Sequence, residues 1–292
     1  MPQLRSTSPE HLDRLDALRE LVERFLANDE LAIPLLPEVA VKVVRTGSKA
    51  SGNAHSLADI IKADQSLTMY VLRIAASAAK RPVSPIVSLQ HAVAWLGLDE
   101  VANIAFTLAL QGKMLDVQGQ QCKARRLWRH SLASALWARQ LAHMLARETG
   151  LAYLCGLLHT IGKAVTLGAV HEVAQRAHHT LSAEDYDMLI EMFYREVGKS
   201  VIAAWRLPPP IPCVLAHWED YRNAGEVQWE GNVVNVAHRL ADFTLHEPHM
   251  LTRDLIVQDP AYLDLGLSAE DGEPLFDSAS SISGELDRYL SP

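Results

Sequence analysis

Apolar residues in this chain recur at three- and four-residue spacing almost from end to end, which is the period of a helix face. In "SPEHLDRLDALRELVERFLAND" that spacing sets Leu12, Leu15, Leu18, Val22, Phe25 and Leu26 on one stripe. Ser8 can cap the segment, and Pro9 suits a first turn, where its missing N–H is no loss. Residues 1–30 therefore predict an exposed amphipathic helix ahead of the main domain. No segment alternates as a half-buried strand does, and neither a glycine-rich phosphate loop nor an internal repeat is evident. The expected fold is all-α, a multi-helix bundle in two packed halves.

Local signals place the breaks. In the first half, residues 31–116, "PEVAVKVV" predicts a helix from Pro37 to Gly47, followed by the polar loop "SKASGNA". Ser56 with Asp59 is a capping-box pattern, and Asp64 can cap the next helix. "KRPVSPIVS" is too rich in proline for helix; Ser88 then caps "LQHAVAWLGL", and "DEVANIAFTLALQGKML" closes the half. The second half, residues 117–250, opens with one long helix from Cys122 to Gly150, and a single helix, "LAYLCGLLHTIGKAVTLG", follows. Ser182 and Asp185 box the start of "AEDYDMLIEMFYREVGKSVIAAW", "RLPPPIP" breaks it, and "CVLAHWEDY" and "GNVVNVAHRLADFTL" supply two more helices. Residues 251–292 read as an acidic tail with one or two short helices.

Composition narrows the function classes. A net charge of −8 disfavours broad nucleic-acid binding, which calls for a basic face. Three scattered cysteines with no CxxC pair read as reduced thiols. No apolar leader is seen at the start, and no run reads as long enough to span a bilayer, so a soluble cytoplasmic protein without membrane contact is expected.

His130, His159, His217 and His238 each lie in an otherwise apolar helical segment, three of them in "GLLHT", "VLAHW" and "NVAHR". A single histidine of this kind more often bridges buried carbonyls than binds a metal. Together, neutral imidazoles on facing helices make suitable ligands for zinc, iron or manganese. The basic cluster "CKARRLWRH" offers Arg125, Arg126 and Arg129, and Lys163 lies one turn past His159. These four could hold a phosphate or nucleotide, or form a solvated helix start. No G-x-S-x-G elbow or cysteine nucleophile signature is present.

Several separate stretches, in order, resemble one family. "LPEVAVKVV", "IIKADQSLTMYVLRIAASA", "VSPIVSLQHAVAWLG", "LWRHSLASALWARQLA", "LCGLLHTIGK", "EVGKSVIAAWRLP" and "VLAHWED" are similar to successive segments of the HDOD family, output-type relatives of the HD phosphohydrolases in bacterial signalling proteins. The resemblance runs from Ile33 to Phe243 and implies that family's helical fold. It also implies where a hydrolytic relative would carry metal. The first histidine falls on His130, and the defining His–Asp pair falls on His159 and Thr160. A further histidine falls on Tyr194, a His–His pair on His217 and Trp218, and the closing aspartate on His238, with Asp242 the nearest acid.

A threonine hydroxyl is a neutral, weak ligand where a carboxylate would bridge and neutralise metals. The departures at Thr160, Tyr194, Trp218 and His238 argue against a two-metal clamp, although a His₃ zinc site with an open position remains compatible with what is left. The Gly-Tyr-Pro extension of relatives that degrade cyclic di-GMP is also missing after "HWEDYRNAG". The expectation is a non-catalytic regulatory or scaffold module with no required cofactor. It would bind a signalling protein in trans or a small nucleotide, and self-association through its terminal segments is compatible with the pattern. The alternative is a single-metal phosphohydrolase acting on a phosphoester or cyclic dinucleotide.

Overall fold

A computed structural model describes residues 9–28, 30–36, 40–41, 54–76, 86, 88–245 and 251–290. Among them there is no strand, and the fold is all-α. The order is α1 (Pro9–Ala27), α2 (Ala54–Lys62), α3 (Gln65–Ala76), α4 (Leu89–Leu96) and α5 (Leu98–Met114). Then come α6 (Gln121–Met144), α7 (Thr149–Leu158), α8 (Ile161–Arg176), α9 (Ala183–Trp205), α10 (Ile211–His217) and α11 (Gln228–Thr244). Four further helices close the order: α12 (Arg253–Val257), α13 (Pro260–Asp264), α14 (Ala269–Asp277) and α15 (Ala279–Leu290). The helix predicted from Pro37 to Gly47, the loop after it, the Ser8 cap and most of "KRPVSPIVS" lie outside the described residues.

The locally encoded caps form as expected. Asp64 Oδ1 accepts the Leu67 N–H at 3.0 Å, Ser88 Oγ accepts the His91 N–H at 3.1 Å, and Ser182 and Asp185 make a reciprocal capping box. Helix α2 begins at Ala54, so Ser56 falls inside it and not at its start. Between α4 and α5 the chain bends by 118° at Gly97, whose φ of 88° a side chain would strain.

Two helix boundaries differ from expectation. Helix α6 ends at Met144 rather than Gly150, with Ala146 at φ 52° and the Arg147 N–H bonded back to the Ala142 carbonyl at 2.8 Å. Gly150 lies in the first turn of α7, where Glu148 accepts the N–H groups of Gly150 and Leu151 at 2.7 and 2.6 Å. The single helix expected over "LAYLCGLLHTIGKAVTLG" is broken at His159–Thr160. The Gly156 carbonyl, which a continuous helix would bond to the Thr160 N–H, instead accepts from His159 Nδ1 at 2.7 Å. The stretch Thr149–Arg176 is also long and apolar enough to cross a membrane by length and composition, contrary to expectation. Its apolar window is 78% buried inside the fold, as a core element's would be.

Helix α6 is the hub. Leu132, Leu136, Trp137 and Leu141 on it are fully buried, and it packs against α7, α11 and α15. The Trp137 indole N–H donates to Thr244 Oγ1 at 2.8 Å, which fixes the crossing of α6 and α11. Helices α8 and α9 meet through glycine: a Cβ at Gly162 would stand 2.0 Å from the Tyr194 carbonyl oxygen and 3.0 Å from Gly198.

Neither terminal segment is a free appendage. Leu15, Leu18, Val22 and Phe25 of α1 are buried, and that helix packs on α8 and α9. The residues read as a tail form four helices that bury Tyr262, Leu275, Leu286 and Tyr289. From α15, Glu285 takes the Arg139 guanidinium at 2.7 and 2.8 Å, while Glu100 on α5 takes its other arm at 2.6 Å. The Tyr70 hydroxyl on α3 donates to the Tyr289 carbonyl.

Candidate functional site

Three helical elements bring His130, His159 and His238 together. His130 lies on α6, His159 at the α7–α8 break and His238 on α11. One nitrogen from each falls within 4.8 Å of the others, close enough for the three to hold a metal ion. His217 does not join them. It is exposed at the end of α10, while the next residue, Trp218, is buried and sets its indole edge-on to His159 at 4.8 Å. The place that the resemblance gives to a His–His pair is thus filled by an indole.

Hydrogen bonds fix the protons. The Gly156 carbonyl only accepts, so His159 carries its proton on Nδ1. Burial, then the neighbouring His130, holds His159 well below the usual histidine range, so its ring is neutral and Nε2 is a bare acceptor. His238 Nδ1 at 2.9 Å must therefore donate to it. Burial, then His130 and His159, keeps His238 neutral too, which leaves its Nε2 lone pair free. That atom stands 3.8 Å from Asp242 Oδ2, beyond hydrogen-bond reach. Asp242 instead accepts from His130 Nε2 at 2.8 Å.

Asp242 is the residue that sequence reasoning left outside the site. Its signal was present: four residues after His238, it shares that residue's helix face. Three imidazoles beside one carboxylate suit a single divalent ion, and the bond from His159 Nδ1 to Gly156 is the kind of outer contact that orients a histidine ligand.

Thr160 is buried and turned away from that role. Ser131 Oγ donates to the Leu127 carbonyl at 3.1 Å, so its contact of 2.7 Å with Thr160 Oγ1 has the threonine as donor. Tyr194 is similarly committed. Its hydroxyl donates to Glu219 at 2.5 Å, and Arg195 clasps the same carboxylate at 2.6 and 2.9 Å.

A cavity of about 160 Å³ opens beside the histidines, bordered by Arg126, Lys163, Asp187, Glu191 and Asp242. Arg125 and Arg129 are exposed and do not line it. Lys163 is bound to Glu191 at 2.5 Å, and just outside, Lys123 is bound to Asp187 at 2.5 Å. Three carboxylates against two cations leave the lining no positive surplus for a phosphate.

The HDOD domain model matches residues 33–221. The chain belongs to the HDOD domain family. A curated Treponema pallidum (strain Nichols) protein of uncharacterized function is 23% identical over 187 residues, 61% of this HDOD chain and 36% of that protein. The chain thus spans about a third of that relative's length. Solved structures share the helical fold. An HDOD domain protein of unknown function from Geobacter sulfurreducens aligns with TM-score 0.72 at 22% identity, over 95% of this chain and 98% of that one. A Shewanella amazonensis SB2B protein, provisionally named a metal-dependent phosphohydrolase, aligns with TM-score 0.72 at 20% identity, over 94% and 99%. A Marinobacter aquaeolei VT8 protein, provisionally named a signal transduction protein, aligns with TM-score 0.66 at 23% identity, over 98% and 67%.

Proposed function

We propose that this HDOD chain is a non-catalytic signal-transduction module of the cytoplasm that relays a regulatory state to a separate protein. One observation carries the reading: Thr160, where a hydrolytic relative would place its metal-bridging aspartate, spends its hydroxyl on Ser131 at the buried wall of the histidine cavity. Tyr194 and Trp218 point the same way, since each replaces a ligand and each is committed to packing or to Glu219. A protein partner is favoured over a nucleotide. The cavity of about 160 Å³ is smaller than the ~300–1,000 Å³ of ordinary ligand sites, and its carboxylates outnumber its cations. The test is turnover of phosphomonoester, phosphodiester and cyclic-dinucleotide substrates by protein reconstituted with zinc, iron or manganese, with metal content measured alongside. Metal at one ion per chain together with robust turnover would overturn the proposal.

A second reading is a single-metal phosphohydrolase, and the cluster of His130, His159 and His238 beside Asp242 favours it. In that reading His130, His159 and His238 would hold one divalent ion, which would supply an activated water near neutral pH. Asp242 keeps the His130 ring oriented by accepting its Nε2 proton, and the Gly156 carbonyl does the same for His159. Arg126 and Lys163 line the cavity and would bind a phosphoryl group once released from their present contacts, which for Lys163 is Glu191. His130→Gln would then abolish both metal uptake and turnover; if turnover survives that change, this reading fails.

A further inference from the structure

A second cleft, of about 380 Å³, shares no residue with the histidine cavity. It lies between α5 and α6, with the Gly97 bend at one end and the start of α7 at the other. From α5 it takes Asp99, Glu100 and Asn103, which share one helix face; from α6 it takes Arg139, Gln140 and His143. Arg139 follows His130 by nine residues on α6, which places it about 14 Å further along the helix.

Asn103 is the informative member. It is only 4% exposed and lines the cleft, yet its side-chain amide has no hydrogen-bond partner among the described residues. Beyond the helix's own backbone bonds, only its backbone carbonyl is used, by Thr107 Oγ1 at 2.8 Å. The amide belongs to a mostly buried residue and meets no protein group among the described residues, so its polar atoms take their hydrogen bonds from whatever fills the cleft. A position facing a cleft wide enough for a small molecule meets that requirement with a ligand.

The lining charges say which kind. Arg139 is the single arginine or lysine of the cleft, and its guanidinium is already bound to Glu100 and Glu285. With Asp99, the lining holds two carboxylates beside that one arginine, and Glu285 takes the guanidinium from outside the cleft. Among the described residues only the three histidines bring metal-ligating atoms together, so a bare metal ion is not the occupant indicated here. We propose that this cleft binds a small organic cation through an amine or guanidinium head, which donates to Asp99 and to Asn103 Oδ1. The site goes beyond the signalling role proposed above and does not depend on the histidines. Because Glu285 belongs to α15 and Glu100 to α5, an occupant would bear on the clasp that joins those helices to α6.

Agmatine, with a guanidinium at one end and an amine at the other, and putrescine, with amines alone, are the probes. Titration calorimetry and thermal melting of the full chain are the readouts. At least one of the two is expected to bind and to raise Tm. Asn103→Leu and the exposed change Asp99→Asn are each expected to weaken binding about tenfold. Without ligand, Asn103→Leu is expected to melt no lower than wild type, because the amide makes no bond to the protein that the change would break. The proposal is overturned if neither probe binds, if both variants bind as wild type does, or if inorganic phosphate binds in place of the amines. A lowered Tm for unliganded Asn103→Leu would equally overturn it by showing the amide to be structural.

Discussion

Replacing Arg139 by methionine keeps most of the apolar stem but removes the guanidinium that holds Glu100 at 2.6 Å and Glu285 at 2.7 Å. Two carboxylates would then face each other in a mostly buried site with no cation between them. Breaking a buried ion pair from one side costs about 3–5 kcal/mol. Roughly a fifth of each of the three side chains still meets solvent, so the low end, about 3 kcal/mol, is expected at neutral pH. At about 2–4 °C per kcal/mol, Tm should fall by about 6–12 °C.

The loss should depend on pH. Burial raises the Glu100 carboxyl above its ordinary value, and the charge of Arg139 partly offsets that rise. Without the arginine it moves higher. An acid whose pKa is higher folded than unfolded contributes stability below the unfolded pKa and loses it as pH rises through the folded one. The deficit of the variant should therefore be largest at about pH 8 and shrink as the pH falls, because the raised Glu100 carboxyl takes up its proton before the unfolded chain's does. Urea unfolding followed by circular dichroism, with wild type as reference at each pH, measures this difference. The triple change Arg139→Met, Glu100→Gln, Glu285→Gln should recover most of the loss. A deficit under about 1 kcal/mol at pH 8, or one unchanged at pH 5, refutes the reasoning.

Gly162→Ala places a methyl 2.0 Å from the Tyr194 carbonyl and should cost about 3 kcal/mol by parting α8 from α9; a denaturation midpoint equal to wild type would contradict that contact. Thr244→Val leaves the buried Trp137 N–H unpaired and should cost about 1–3 kcal/mol, checked by the same unfolding curves. Thr160→Asp sets a carboxylate beside Ser131 and His159, so the metal-free variant should lose about 2 kcal/mol. Added manganese or zinc should restore its Tm in a thermal-shift assay, and no restoration would mean that the ligand geometry around it has gone.

The helices themselves were legible because helical period and caps are local. Asp64, Ser88 and the Ser182–Asp185 pair each act within three residues of the bond they make. What escaped depends on helices meeting. Asp242 becomes a partner of His130 only where α6 crosses α11, and motif spacing alone did not distinguish the exposed His217 from the inward Trp218. The break after His159 arises from a side chain taking a backbone acceptor, which apolar periodicity does not register. Gly150 was read as a helix end because glycine favours that place, yet it serves a first turn when Glu148 caps it. The closing helices looked like an acidic tail because their charge outweighs the few apolar anchors, such as Leu275 and Tyr289, that bury them.

Helix α15 also sets an order of events during synthesis. Tyr70 and its partner Tyr289 are 219 residues apart in sequence, and Arg139 must wait 146 residues for Glu285. A ribosome has therefore released the whole first half and the histidine helices before the contacts that close them exist. Until then Arg139 has only Glu100, and the face of α6 that receives α15 stays open to solvent and to chaperones. Completion of this fold is thus a late, long-range event, and a chain stopped short of residue 279 would present that open face permanently.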